Sequence, residues 1–567
     1  MKKLFFMTIA AIAALFCGCT ADSGEGGGAL YADFTINPNP CYASEVVTFT
    51  NTTKGATSCS WEIIDIDTNS TIETLEGKLV GGSLQATYSF ISNGTYRIKM
   101  TASNGSSSVE KVKILVVNPA KLEDTGNLVL NWCGKMEGYS ARTVPAVDDS
   151  GNVYAICHDY KLRKFDAQGN EAWAIQFEKI NAQNEASVTC TPAIDTDGTV
   201  YIGVGGAKGE GRYVAVNPDG SIKWTFTNFY VCTAHGTLAP AVNGQHVVIT
   251  DQYIYAGNNG NTGSVLAIEK ATGTRKAYAA TDSNGGGGPA GGVASGIVMD
   301  KSGYIYWSGG QYGLFNMFAT DLSSAAISSN MYKRVFSADP YKPAKADANL
   351  ACTNVGGIDC VCSVMTDGIG TNVYAVDGDN TVVSQTYIPN TDTQDQGGVA
   401  ITAEGYAVAS LNNTLGKANG GIVVVDLARE QVVARFSTME KVSGSPAIDA
   451  AGNIHFGTES GHYYIVKVEG ETCKLLVKRN IATLLAQDSR YASHYEGLEY
   501  PKMWSSPVIG PDGKIYINFA DDERRDEVSG GALSGVLCFS YEGCTGPADS
   551  SWPMHGANHR HQGVQLK

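Results

Sequence analysis

The sequence predicts an all-β protein with two bodies, a small β-sandwich followed by a β-propeller of eight or, alternatively, seven blades. Three observations support this prediction: glycine is frequent, charged residues are rare, and one strand-turn-strand pattern recurs through most of the chain. The 567 residues include 66 glycines, and only 17% are charged, against about 25% in an average domain. Long solvent-exposed helices would require a larger share of Glu, Lys and Ala than this low charged content indicates. The 43% of hydrophobic residues is enough to build a core, which argues against disorder.

Charge and hydropathy exclude two classes of protein. The formal net charge is −15. No basic stripe accompanies it, and a nucleic-acid binder needs such a stripe to displace the counterions of the phosphates. Beyond the amino terminus, no apolar run reaches the roughly 18 residues of a transmembrane helix. We therefore expect no nucleic-acid partner and no membrane-spanning segment.

The amino terminus predicts an export signal with a lipid anchor. Two lysines follow the initial methionine, and Leu4–Phe16 is an apolar run of the length of a secretory signal. The next residues, LFCGCTADSGEGGG, place Cys19 after the small Gly18 and resemble the lipobox of bacterial lipoproteins, with phenylalanine in place of the usual leucine. The resemblance implies cleavage before Cys19 and acylation of that residue. We expect residues 1–18 to be a lipoprotein signal peptide and residues 19–30 a flexible tether; an ordinary signal peptide is the alternative.

These features predict an exported protein, anchored by lipid in the outer membrane and lying at the cell surface or on the periplasmic face. Removing Cys17 and Cys19 from the 14 cysteines leaves an even number, as is common in an oxidising compartment. Cys41 with Cys59, and Cys538 with Cys544, are plausible disulfide pairs. Buried free thiols are the alternative.

Residues 31–118 alternate apolar with polar residues in short runs separated by Gly, Asn and Ser, which predicts a small sandwich. The segments ADFTINPNPCYASEVVTFTNTT, SWEI and YSFISNGTYRIKMTASNG resemble a PKD domain, an immunoglobulin-like module of exported proteins. The family's Trp-x-Phe-Gly-Asp-Gly turn reads WEIIDI here, beginning at Trp61. The resemblance implies a spacer, or a unit that contacts proteins or glycans.

Residues 119–567 repeat one pattern. Its clearest copies are SPAIDAAGNIHFG (Ser445–Gly457), TPAIDTDGTVYIG (Thr191–Gly203), SPVIGPDGKIYIN (Ser506–Asn518) and VPAVDDSGNVYAI (Val144–Ile156). A second pair of strands follows each copy, which gives four short strands over about 40–55 residues, the spacing of a propeller blade. We count eight blades. The fifth, placed near Gly357, is irregular, so seven remains the alternative.

The ring is expected to close through a strand from upstream of the first blade. The last blade lacks a fourth strand before the tail, and LVLNWCGK (Leu128–Lys135) carries the tryptophan typical of fourth strands. We predict that it completes the final blade and leaves no open sheet edge. The repeats and the tail SSWPMHGANHRHQGVQ (Ser550–Gln565) resemble the PQQ-like, or quinoprotein alcohol dehydrogenase-like, β-propeller superfamily. This resemblance implies the fold, and fold alone does not imply function.

The residues do not favour quinoprotein chemistry. Those enzymes stack the quinone on a tryptophan and, in many members, on a disulfide of adjacent cysteines, beside a calcium ion. This sequence has no Cys-Cys dipeptide, and its first strands carry small apolar residues where calcium ligands would stand. We therefore expect no cofactor, no catalytic residue and, more generally, a protein that is not an enzyme.

A metal site in the tail is considered and not favoured. His555, His559 and His561 have a spacing that a helix or turn would bring to one ion, but Pro553 and Gly556 disfavour a helix. We interpret the three histidines as packing or surface residues.

Aromatic segments that interrupt the blade rhythm form the candidate ligand-binding surface. Long insertions in a propeller fall on loops at one face. Tyr and Trp offer flat apolar area with a polar edge, which suits sugars and peptides. Packing between blades is the alternative. The candidate ligand-binding residues are Tyr230, His235, Trp307, Tyr312, Tyr491, His494, Tyr495 and Trp504.

The sequence thus favours a non-catalytic cell-envelope lipoprotein whose propeller binds a glycan or a protein, with the PKD-like domain as spacer. The alternatives are a scaffold in outer-membrane assembly and an enzyme that acts on polysaccharide.

Overall fold

The computed structural model describes most of the chain from residue 30 onward. The described residues are 30–66, 69–90, 93–118, 122–138, 143–157, 159–177, 191–205, 211–228, 247–260, 263–279, 296–308, 314–318, 349–366, 370–379, 381–389, 391–392, 397–413, 420–521 and 533–567. Within them the secondary structure is almost entirely β, and the one helix is the short α1 (Ile481–Gln487). The predicted signal peptide, Cys19 and nearly all of the predicted tether lie outside the described residues.

The N-terminal part of the chain forms two sheets around one core. Its strands are β1 (Phe34–Asn37), β2 (Cys41–Tyr42), β3 (Val46–Asn51), β4 (Ser58–Asp65), β5 (Ser70–Glu76), β6 (Lys78–Val80), β7 (Ser83–Ser89), β8 (Gly94–Ser103) and β9 (Ser108–Asn118). One sheet has the order β1-β3-β7-β6 and the other β2-β9-β8-β4-β5. Alternate residues of β4 and β8 are buried, so each presents one face to a cluster around the fully buried Trp61. We call these two sheets the N-terminal unit.

Seven further sheets follow, and the nine-stranded one divides into two blades that a single parallel pair, Arg435 with Thr472, joins; we therefore number blades 1 to 8 in chain order. Blade 1 comprises β11 (Ala146–Val147), β12 (Val153–Ile156), β13 (Lys161–Phe165) and β14 (Glu171–Gln176), and blade 2 comprises β15 (Ala193–Ile194), β16 (Val200–Gly205), β17 (Gly211–Val216) and β18 (Ile222–Asn228). Blade 3 comprises β19 (Val247–Ile249), β20 (Tyr253–Gly260), β21 (Gly263–Glu269) and β22 (Arg275–Ala279). The described strands of blade 4 are β23 (Ile297–Met299), β24 (Tyr304–Ser308) and β25 (Leu314–Phe318). Within each blade, consecutive strands pair antiparallel.

Blade 5 comprises β26 (Ala351–Val355), β27 (Ile358–Thr366), β28 (Gly370–Asp377) and β29 (Val382–Pro389). Blade 6 comprises β30 (Thr391–Asp392), β31 (Val399–Ile401), β32 (Ala407–Asn413), β33 (Gly420–Asp426) and β34 (Gln431–Ser437). Blade 7 comprises β35 (Ala447–Ile448), β36 (Asn453–Gly457), β37 (His462–Glu469) and β38 (Thr472–Asn480). Blade 8 comprises β39 (Pro501–Lys502), β40 (Val508–Ile509), β41 (Ile515–Asp521), β42 (Ser534–Ser540) and the upstream strand β10 (Val129–Met136). The described residues therefore give eight blades rather than seven.

The upstream strand closes the ring as predicted. β10 pairs antiparallel with β42, with Val129 opposite Ser540 and Met136 opposite Ser534. Blades 8 and 1 share one buried cluster, which includes Phe165 of blade 1 and Phe539 of blade 8. β10, which precedes blade 1 in the chain, is thus the outermost strand of blade 8, and it covers the edge of β42.

A tryptophan from the fourth strand of one blade docks on a turn of the next blade at three successive positions. Each indole N–H donates to a carbonyl in the turn between the third and fourth strands: Trp132 to Ala167 at 3.1 Å, Trp173 to Pro218 at 3.1 Å and Trp224 to Lys270 at 2.9 Å. Glycine is required in these turns. Gly169, for example, has φ +88°, and a Cβ there would lie 2.5 Å from the Trp132 ring.

Two predictions from the sequence are wrong. Blade 5 begins at β26, before the predicted start at Gly357, because Gly356 and Gly357 form its first turn instead. Neither proposed disulfide is present: Cys41, Cys59, Cys538 and Cys544 are free, buried thiols. Each packs inside a cluster as a small apolar side chain, which was the stated alternative.

The N-terminal unit lies against the outer strand of blade 6. The side chain of Arg435 in β34 is only 8% exposed; its guanidinium lies 4.9 Å from the Tyr88 ring and donates to Glu73 at 3.0 Å. Alongside, the backbone N–H of Ser437 donates to Ser44 Oγ at 2.8 Å. The unit is therefore docked on the propeller through buried polar contacts.

Candidate functional site

The two ends of the propeller are built differently. In the described part of each blade, the second strand ends and the third strand begins at one end of the propeller, which we call the loop face. At the other end, the turn face, tight turns such as Asp148–Asn152 connect the first strand to the second and, in blades 1, 2, 3, 5, 6 and 7, the third strand to the fourth. The described strands that flank residues 178–190, 229–246 and 280–295 end and begin at the loop face, and those residues themselves lie outside the described part of the chain.

The C-terminal tail covers the turn face. The last residue of the first strand in six blades donates its backbone N–H to a tail carbonyl: Ile401 to Trp552, Ile448 to Pro553, Val147 to His559, Ile194 to Arg560, Ile249 to Gln562 and Met299 to Gly563, all at 2.7–3.0 Å. These donors would otherwise have no partner inside the blade, so the tail satisfies them. Trp552 is fully buried. The turn face is therefore occupied by the protein's own tail.

The insertion at residues 481–504 is held firmly on the loop face of blade 8. Asn480 caps α1 by accepting the Thr483 N–H at 2.9 Å. The hydroxyl of Tyr491 accepts the backbone N–H of Cys133 at 2.9 Å, and that of Tyr495 donates to the carbonyl of Ser534 at 3.1 Å. Both tyrosines thus fix the insertion to β10 and β42, the strands that close the ring.

The structure sorts the predicted ligand-binding residues into three groups. Tyr230, His235 and Tyr312 lie outside the described residues. Trp307, Tyr491 and Tyr495 are 1%, 8% and 3% exposed, so their rings pack inside the protein, as the alternative interpretation held. His494 is exposed and Trp504 is half-buried, and these two keep surface that a ligand can reach.

The accessible residues of the insertion lie at different strands of blade 8: Trp504 at the inner strands, and His494 beside Tyr495, which bonds Ser534 of β42. Trp504 lies between β39 and β40, which both pair with the inner edge of β41, and Lys502 places its ammonium 4.9 Å from the Trp504 ring. His494 packs edge-on against Tyr495, with ring centroids 4.6 Å apart. Partial burial, and then the charge of Lys135, lower the pKa of His494. Tyr500 is 55% exposed.

Buried polar side chains join the blades at the loop-face ends of the inner strands. The amide of Asn349 donates to Ser445 Oγ at 3.2 Å, and the backbone N–H of Ser445 donates to Ser506 Oγ at 2.9 Å. Asn518 donates its amide to the carbonyl of Thr143 at 2.8 Å. These bonds link blades 5, 7, 8 and 1, so this end of the propeller is fixed before any ligand arrives.

The tail histidines do not meet at one point. His559 bonds Asp149 at 2.8 Å, and His561 bonds the carbonyl of Pro192 through Nδ1 at 3.1 Å. The ring of His555 lies 5.3 Å from that of His561. Burial lowers the pKa of both His559 and His561. His559 and His561 therefore fasten the tail to blades 1 and 2, and His555 packs against His561.

Sequence analysis missed one cluster of metal-ligating residue types. Within the described residues, Asp449, His455 and Cys544 bring one donor atom each within 4.8 Å of one another, and all three are buried. Burial, and then the charge of Asp449, raise the pKa of the Cys544 thiol to about 12. A signal was available: His455 takes the place of the tyrosine in the repeat copies NVYAI, TVYIG and KIYIN.

No helix within the described ranges is long and apolar enough to cross a membrane.

Comparison with protein-family models finds no match, and comparison with curated protein sequences finds none either. Among solved structures, the chain is similar to the quinohemoprotein alcohol dehydrogenase of Comamonas testosteroni, with 14% identity, a TM-score of 0.50, and coverage of 73% of this chain and 76% of that one. It is also similar to the quinohemoprotein alcohol dehydrogenase ADHIIG of Pseudomonas putida HK5, with 13% identity, a TM-score of 0.50 and coverage of 76% and 78%.

A third structure, BamB from Moraxella catarrhalis, matches with 10% identity, a TM-score of 0.46 and coverage of 73% of this chain and all of that one (100%). A TM-score of 0.46 is too low to support a conclusion about this chain. The similarity to the two dehydrogenases, at 13–14% identity, shows that the chain has their propeller fold. This similarity does not show that the chain shares their activity.

Proposed function

We propose that this chain is a non-catalytic, exported, lipid-anchored envelope protein whose propeller binds a glycan at the loop face. The observation that carries the proposal is the difference between the two faces. The turn face is covered by the protein's own tail, whereas the loop face bears the aromatic insertion at residues 481–504. Long insertions on one propeller face commonly form its binding surface.

The chemistry of the insertion favours a sugar ligand. Trp504, Tyr500 and His494 offer ring surface with a polar edge, which suits the apolar faces and hydroxyl groups of a sugar. Tyr491 and Tyr495 hold the segment in place through buried hydrogen bonds, so little ordering is needed on binding. The same aromatic residues would also suit a protein partner, which is the alternative to a glycan ligand.

The N-terminal unit would set the position of the propeller relative to the membrane. Its docking through Arg435 and Ser437 fixes it on blade 6 rather than leaving it free. A lipid on Cys19 would anchor the assembly, since two or more acyl chains hold a protein stably on a membrane. Replacing Cys19 with alanine should abolish labelling by a fatty-acid analogue.

A glycan array with the purified chain tests the binding proposal. We expect retention of a glycan class without release of reducing ends, and a loss of about tenfold in affinity when Trp504, Tyr500 and His494 are all replaced with alanine. Tyr31→Ala is the matched control, because Tyr31 is 84% exposed and lies outside the propeller. Release of reducing ends would instead indicate an enzyme. Co-purification of an outer-membrane β-barrel without glycan binding would indicate an assembly scaffold.

A further inference from the structure

A conserved arrangement within the repeat is altered in one blade. In blades 1, 2 and 4, an aspartate that begins the turn after the first strand accepts a hydrogen bond from a tyrosine of the second strand: Tyr154 to Asp148 at 3.3 Å, Tyr201 to Asp195 at 3.3 Å and Tyr306 to Asp300 at 2.7 Å. In blade 7 the aspartate is Asp449, but the second-strand residue is His455, whose Nε2 lies 3.0 Å from Asp449 Oδ2. An imidazole, a group that can ligate a metal ion, therefore replaces a phenol at a position where blades 1, 2 and 4 make a hydrogen bond.

A third donor comes from a different part of the chain. Cys544 lies just after β42, where the tail leaves blade 8, and its sulfur belongs to the same cluster of donor atoms within 4.8 Å. The tail then runs along the turn of blade 7: Ala450 donates its N–H to the carbonyl of Gly546 at 2.9 Å, and Ala548 donates to Ile448 at 2.9 Å. The thiol, the imidazole and the carboxylate thus meet where the tail first touches the turn face.

The donor set and spacing fit a zinc ion. Zinc takes thiolate, imidazole and carboxylate ligands at about 2.0–2.3 Å in a tetrahedron, which places the ligand atoms about 3.3–3.6 Å apart. The imidazole nitrogen and carboxylate oxygen are already 3.0 Å apart. The sulfur stands within the same small volume, on a short turn where Cys544 donates its N–H to Tyr541.

The surroundings orient two of the donors. Asp449 Oδ1 accepts the backbone N–H groups of Ala451 and Asn453, and the Asn453 amide reaches Oδ2 at 2.8 Å. The other imidazole nitrogen of His455, Nδ1, lies 3.3 Å from the hydroxyl of Tyr463. Partners of this kind behind a ligand set its direction and are a regular feature of metal sites.

We propose that Asp449, His455 and Cys544 bind a zinc ion that fastens the start of the C-terminal tail to blade 7. A water molecule would fill the fourth position, and the thiol proton would pass to solvent on binding. Because the tail covers the first-strand ends of six blades, the ion would stabilise the closed turn face of the propeller. The loop face is not involved, so this site is independent of the proposed glycan binding.

Metal content and cobalt spectroscopy of the full mature chain, purified under reducing conditions, test the proposal. We expect about one zinc per chain in the wild type, and less than about a tenth of that in His455→Tyr and Cys544→Ser. The first variant restores the residue that other blades carry, so it should fold even if the second does not. Cys538→Ser is the matched control, since Cys538 is a buried thiol of the same blade whose sulfur contacts Asn131. Cobalt should give a thiolate charge-transfer band only in the wild type and the control.

Limited proteolysis of the tail tests the fastening role. Chelation should speed cleavage after residue 544 several-fold in the wild type and leave His455→Tyr unaffected. The site is refuted if the wild type holds no more zinc or cobalt than Cys544→Ser, or if His455→Tyr retains the metal. If zinc binds but chelation leaves the cleavage rate unchanged, the fastening role is refuted.

Discussion

Trp132, on the strand that comes from upstream of the first blade, is one of the side chains that join blade 8 to blade 1. Its indole is 4% exposed, packs 6.1 Å from the Phe165 ring and 6.0 Å from the Tyr516 ring, and donates to the carbonyl of Ala167. The indole of Trp132 therefore connects blade 8 to blade 1, where the first and last blades of the propeller meet. Replacing Trp132 with alanine removes this connection.

The expected loss can be estimated from these contacts. Truncating a buried tryptophan to alanine costs about 3–5 kcal/mol, because it removes apolar contacts and leaves a cavity. The lost indole hydrogen bond accounts for about 1 kcal/mol of such a total. Trp132→Phe keeps most of the packing and loses the N–H, so it should cost about 1–2 kcal/mol.

Trp173 and Trp224 provide internal controls, because they make the same hydrogen bond between other blades. Trp224 is 9% exposed and Trp173 is half-buried. Less buried area gives a smaller loss, so destabilisation should fall in the order Trp132→Ala, Trp224→Ala, Trp173→Ala. The urea midpoint, followed by tryptophan fluorescence and by circular dichroism, gives this order. An equal effect of Trp132→Ala and Trp173→Ala, or a Trp132→Ala variant as stable as Trp132→Phe, would contradict the reasoning.

Three further predictions concern other contacts. Gly169→Ala should lower the Tm far more than Gly405→Ala: both have positive φ, but a Cβ at 169 would meet the Trp132 ring whereas one at 405 meets nothing within 4 Å. Arg435→Ala should cost about 1–3 kcal/mol and raise hydrogen exchange in β5 and β7, because it leaves the partly buried Glu73 and Tyr88 of the N-terminal unit without their cation. Unchanged exchange in both strands would contradict the docking. Burial would raise the pKa of Glu440, but His462, Thr458 and Lys478 lower it below its ordinary 4.5. The carboxylate therefore stabilises the fold above that pH and loses this effect on acidification, so the Tm difference between wild type and Glu440→Gln should be constant above about pH 5 and shrink below about pH 4; a difference that stays constant through the acid range would show that Glu440 contributes nothing by its charge.

The sequence by itself determined the all-β class, the recurrence of blades and the closing strand. These features depend on local rules: apolar alternation selects strands, and Asp-Gly or Asn-Gly pairs select tight turns. The unassigned strand Leu128–Lys135 could be placed because a blade one strand short at the far end of the chain needs a partner for its edge. Blade 5 departs from this reasoning: the start predicted near Gly357 falls in its first turn, between β26 and β27.

Only the tertiary structure decided which side chains face solvent and which distant residues meet. Tyr491 and Trp504 look alike in the sequence, yet one is bonded to Cys133 and buried, and the other keeps exposed surface. Asp449 and Cys544 come together because the tail crosses from blade 8 to blade 7. The physical reason is that periodicity is set by neighbours along the chain, whereas burial and convergence depend on the path of segments far apart in sequence, which no local pattern records.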